Sequence, residues 1–157
     1  MLDQIMPWFH IVNSTLALIF GFCIFLVAKG TRSHKLFGYG YVVSMALLNI
    51  SAMFIYNLTG RIGPFHIAAI FSFITLVAGF LPVWRRKPAK LWLEYHYQFM
   101  CWCYAGLVAA ALSEILTRLP SSPFLPAVII GSLLVFVISG WLIFRRNPRD
   151  LAGSFKD

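Results

Sequence analysis

Five apolar stretches, each about as long as a bilayer is thick, take up most of this 157-residue chain. Crossing roughly 30 Å of hydrocarbon takes ~20 apolar residues in a helix. The stretches run over 8–28, 35–58, 64–84, 93–118 and 124–144. No water reaches a backbone N–H or C=O inside a bilayer, so each stretch must satisfy its own hydrogen bonds as an α-helix. The expected fold class is therefore all-α: an integral membrane bundle of five transmembrane helices. The transmembrane domain covers 1–144, and a basic tail covers 145–157. Composition points the same way, with 60% hydrophobic and only 11% charged residues and a mean hydropathy of +0.80. A soluble domain would carry roughly a quarter charged residues.

Helix punctuation falls at the ends of the stretches. Pro7 and Pro64 are expected at helix starts, where a missing N–H costs nothing. Lys29-Gly30 is expected to stop the first helix and Pro82 to weaken the end of the third. Met1–Pro7 lacks the basic segment that opens a signal peptide. Cys23, Cys101 and Cys103 lie within apolar stretches. Side chains two residues apart on a helix diverge by about 200°, so Cys101 and Cys103 cannot pair, and the thiols read as small packing residues.

The net charge of +8 does not mark a nucleic-acid binder, because the basic residues form short clusters beside apolar segments instead of a basic face. Their distribution reports topology. Eleven Lys and Arg (Lys29, Arg32, Lys35, Arg85, Arg86, Lys87, Lys90, Arg145, Arg146, Arg149 and Lys156) fall on one side, against Arg61 and Arg118 on the other. The rich side is cytoplasmic by the positive-inside rule, which puts the N-terminus outside and the C-terminal tail in the cytoplasm. Trp8, Trp84, Trp92 and Trp141 sit at expected span ends, as an interfacial belt requires.

Polar side chains are costly in a membrane helix, and each one is a functional candidate. The set is His10, His34, His66, His96, Glu94, Glu114, Asn13, Asn49, Asn57 and Gln98. His10 and His66 open the first and third spans at the outer face. His34 and His96 open the second and fourth at the cytoplasmic face. Each layer thus has the two imidazoles that a six-coordinate haem iron requires. Small residues that could make room for a macrocycle follow the ligands at helical spacing: Ser14, Ala17 and Gly21 after His10, Gly38 after His34, and Ala69 after His66. Arg61 and Arg118 are the outer cations available to haem propionates. The competing possibility is that span-end histidines simply snorkel or cap.

Glu114 shares a helical face with His96, five turns away, and is expected to point inward at the depth of the outer histidines. His10, His66 and Glu114 would then form a zinc-like set of two histidines and one carboxylate. The plainer alternative is an ion pair between Glu114 and Arg118 at i,i+4. Glu94 complements the dipole at the start of its helix. The sequence contains no phosphate loop, HExxH, GxSxG or other nucleophile motif.

The run HKLFGYGYVVSMALLNISAMFIY from His34, the GPFH ending at His66 and the HYQFM from His96 resemble a bacterial family of predicted membrane proteins of unknown function. That family carries a histidine in the first span and one at the start of each of the next three. The resemblance covers about 8–120, and Tyr97 stands where the family has arginine. It implies a bacterial inner (plasma) membrane location and supplies no activity. By arrangement alone, the layout is similar to the di-haem cytochrome b561 group. In that group paired histidines from helices i and i+2 hold one haem near each face, and electrons cross the bilayer. The ligands here lie closer to the span ends.

The expected function is thus electron transfer through b-type haem, exchanging electrons with quinol (a quinone partner) or a redox partner protein. The alternatives are a zinc or other divalent-metal protein, a proton-coupled transporter, or a non-catalytic subunit. A homo-oligomer is compatible with each.

Overall fold

The structure, a computed structural model, describes residues 2–55, 63–88, 91–119 and 123–145. Asn57, Arg61, Lys90 and the tail from Arg146 onward lie outside the described residues. Five helices account for nearly all of the rest: α1 Leu2–Leu26, α2 Arg32–Ala52, α3 Pro64–Arg85, α4 Trp92–Thr117 and α5 Phe124–Arg145. There is no strand among the described residues.

Local chemistry explains where the helices begin and end. α1 starts before Pro7, which lies inside it and does not open it as expected. Gly30 has a positive φ of 79°, which turns the chain at little steric cost between α1 and α2. Thr31 then caps α2, its Oγ1 accepting the His34 N–H at 3.2 Å. This cap begins α2 three residues earlier than expected and draws His34 into the first turn. α2 ends at Ala52, short of the expected 58. α3 runs through Pro82 and stops at Arg86, whose φ is 50°. The bond lost at Pro82 does not break the helix.

Four helices are long and apolar enough to cross a membrane, over Ile5–Leu26, Phe65–Arg85, Trp92–Thr117 and Phe124–Arg145. α2 is not among them, because Arg32, Lys35, Ser44, Asn49 and Ser51 dilute its apolar content. The described residues expose large apolar side chains and bury several polar ones. Large apolar side chains are exposed along every helix, Phe144 at 75% being the extreme, whereas Asn13, Ser44, Asn49, Ser51, His66 and Ser113 are buried. Water would not tolerate that surface, but lipid does. The chain is therefore membrane-embedded, and a lipid bilayer is its surroundings.

The chain forms two compact units, Met1–Val77 and Ala78–Asp157. In the first, α1 and α2 pack side by side. His10 is level with Ser51, and Phe20 lies against Gly40 and Phe37, so the two helices run antiparallel. Tyr41, Met45, Leu48, Ala17 and Leu76 form its core. In the second, α4 and α5 pack antiparallel. Ser113 meets Ser132 and the Val128 carbonyl, while Trp102 stacks near Phe136 and Phe144. A Cβ on Gly131 would lie 3.2 Å from Ser113 Oγ, a close approach that small residues permit in membrane helices.

Candidate functional site

The buried polar side chains of the first unit concentrate toward one end of the α1–α2 pair. His10 Nδ1 lies 3.0 Å from Ser51 Oγ. The Ser51 hydroxyl donates its own hydrogen to the Leu48 carbonyl at 2.8 Å. Its oxygen must therefore accept from His10, which puts the His10 proton on Nδ1 and the lone pair of the neutral ring on Nε2. One turn along α1, the Asn13 amide donates to the Phe9 carbonyl at 2.8 Å.

His66 is 4% exposed at the start of α3, and its Nδ1 accepts the Gly63 N–H at 3.2 Å. That geometry reverses the polarity of His10 and assigns the neutral ring's proton to Nε2. Ligation of a metal through His66 Nε2 would require the Gly63 contact to be released.

In the second unit, His96 Nδ1 lies 2.8 Å from the Gly79 carbonyl, which can only accept. The His96 proton is therefore on Nδ1 and its lone pair on Nε2. The contact depends on a close approach of α3 to α4: a Cβ on Gly79 would fall 2.8 Å from Met100 Sδ and 3.1 Å from the Met100 backbone nitrogen. An imidazole whose Nδ1–H is held by a carbonyl or hydroxyl is the usual outer-shell arrangement of a metal-ligating histidine. His34 is half-buried in the first turn of α2. Gly38, one turn on, has open space where its Cβ would be.

The small-residue stripe after His10 is occupied. Ala17 is 0% exposed and Gly21 is buried in the packed α1–α2 pair, so that face is closed by protein. Only the tertiary packing reveals this.

Glu114 does not point inward as expected. Its side chain is 57% exposed and its Oε1 pairs with Arg118 Nη2 at 2.5 Å, the i,i+4 arrangement. Its inward neighbour on the helix, Ser113, takes the contacts with α5. A carboxylate at position 114 is therefore a surface ion pair, and Arg118 is engaged with it. Among the described residues, no group of three His, Cys, Asp or Glu could hold a metal ion. Glu94 lies in the first turn of α4, within 3.5 Å of the Gln98 amide. Among the described residues, Cys23, Cys101 and Cys103 form no disulfide.

Ser51 is absent from the polar set read from the sequence, and Asn49 has no role assigned there. Ser51 lies two residues after Asn49, near the end of α2. Asn49 was noted only as a polar intruder. It is 6% exposed, and its Nδ2 has no hydrogen-bond partner among the described residues. The available signal was the interval of two polar residues late in an otherwise apolar helix.

No curated protein and no solved structure matches the chain. A family described as Predicted membrane protein (DUF2306), whose function is unknown, matches residues 8–144, nearly the whole helical region. The chain therefore belongs to the DUF2306 family of predicted membrane proteins.

Proposed function

We propose that this protein is a five-span carrier of electrons in the bacterial inner membrane, with its N-terminus outside. Its histidines would hold b-type haem, His10 with His66 toward the outside and His34 with His96 toward the cytoplasm, and electrons would pass to or from quinol or a redox partner protein. The observation that carries this proposal is the His96–Gly79 hydrogen bond. It orients the ring and puts the proton on Nδ1, leaving Nε2 as the atom that would hold haem iron. The His10–Ser51 bond does the same for His10. For His34 the support is its position opening α2, with room at Gly38. Bound haem would supply one-electron chemistry, while these side chains bind and orient it.

Five spans are supported by the antiparallel pairing of α2 with α1, a helix apolar enough to cross. α2 runs beside its spanning partner between the Phe20 and His10 levels, and its 21 residues are long enough for a crossing. The orientation is supported by the eleven-to-two division of basic residues. At the basic ends, Lys29 lies 5.5 Å from the Phe25 ring centroid and Arg145 5.0 Å from that of Trp141, as snorkelling cations do at an interface.

The test is the absorption spectrum of protein purified from cells supplied with haem precursor. A Soret band that is reduced in His96→Ala and in His10→Ala, and lost when both are replaced, is expected. A colourless preparation refutes the proposal.

A further inference from the structure

We propose that the cavity lined by the end of α2 and the start of α3 binds the carbonyl oxygen of an apolar, membrane-dissolved molecule, with the Asn49 amide as its hydrogen-bond donor. The cavity lies wholly within the first unit and measures about 200 Å³. Asn49 and Met53 of α2 face Ala69 and Phe73 of α3 across it. Ile50, Ile70 and Ile74 complete the lining, and their exposed side chains place its mouth on the apolar surface.

Three observations identify the occupant's chemistry. First, Asn49 is more than nine-tenths buried and its Nδ2 has no hydrogen-bond partner among the described residues, so a donor is held out of water with nothing there to receive its hydrogen. Such a group is costly unless an acceptor is brought to it. Second, every other lining side chain is apolar. An ordered water needs two to four polar partners and would find only one side chain here. A molecule with an apolar body and one acceptor atom meets both conditions. Third, an apolar cavity of about 150 Å³ accepts benzene, so this one accepts a single six-membered ring or a short run of acyl chain.

A quinone ring and the ester of a phospholipid acyl chain both present a carbonyl oxygen on an apolar body, and both dissolve in the bilayer. The site does not depend on whether the histidines carry haem. A colourless protein that still binds through Asn49 would remove the haem proposal and leave this one standing.

The test uses the full-length protein, delipidated in detergent. It is titrated separately with a short-chain benzoquinone and with a dioleoyl phospholipid, reading the saturable shift in melting temperature. Asn49→Leu removes the donor, and Ala69→Leu fills the cavity. Saturable binding of either probe is expected, weakened about tenfold by Asn49→Leu and abolished by Ala69→Leu. Unliganded Asn49→Leu should melt no lower than the parent, since the amide nitrogen has no bond to lose. Binding of the benzoquinone identifies a quinone site, and binding of the phospholipid alone identifies a lipid-ester site. Equal affinity in parent and Asn49→Leu, or no saturable binding of either probe, overturns the proposal. A marked loss of helix and stability in unliganded Asn49→Leu also overturns it, by showing that Asn49 is structural.

Discussion

Ser51 does two things with one hydroxyl: it closes a bond to the Leu48 carbonyl and receives the His10 ring from the neighbouring helix. The first contact is buried and the second part-buried, so Ser51→Ala leaves His10 Nδ1–H without that acceptor. The expected cost is about 1–3 kcal/mol of stability, measured as a lower unfolding midpoint in detergent. Ser51→Thr keeps the hydroxyl and should recover part of it. Glu114 is the opposite case. Its bond to Arg118 is short, but both side chains are well exposed. Exposed pairs of this spacing contribute about 0–1 kcal/mol. Glu114→Gln should therefore leave the unfolding midpoint within about 1 kcal/mol of the parent and leave any haem spectrum unchanged. A spectral change in that variant would return the carboxylate to the site.

At the scale of the helices, close approach is set by glycine. α3 comes so near α4 at Gly79 that a Cβ there would overlap Met100. The same approach brings the Gly79 carbonyl to His96. Gly79→Val should thus cost about 1–3 kcal/mol by overpacking and loosen the His96 ring, which would be visible as a shifted or lost Soret band if haem is bound. Gly106 lies in the same α4 with open space around its Cβ position. Gly106→Ala should be neutral or stabilise by up to ~1 kcal/mol, because alanine restricts the unfolded backbone and favours helix. Thermal unfolding of the two variants side by side separates packing from propensity. Helix ends were less legible than helices. Thr31 moved the start of α2 by capping it, and Pro82 failed to end α3, since a membrane helix accommodates the one lost backbone bond.

For the whole molecule, the proposed orientation has a direct test. With single cysteines placed in a cysteine-free background, one near residue 4 should react with an impermeant maleimide in intact cells, and one near residue 150 only after the membrane is permeabilised. Labelling of both from one side would mean an even number of spans and remove α2 from the set. The sequence alone determined the all-helical class, the locations of five helices and the membrane setting, because a bilayer requires unbroken apolar runs and admits few charges. It also singled out the histidines, because any polar group in such a run is conspicuous. Only the tertiary structure decided which way those groups face. It closed the stripe after His10 with α2, turned Glu114 out to Arg118 and set Ser113 against α5. It also left the Asn49 amide beside an apolar cavity. The physical reason is that helical spacing determines which residues share a face, whereas the direction of that face depends on which neighbour packs against it. In lipid, hydrophobicity does not choose the inner face. Small residues and a few hydrogen bonds do, and these become visible only once the helices are side by side.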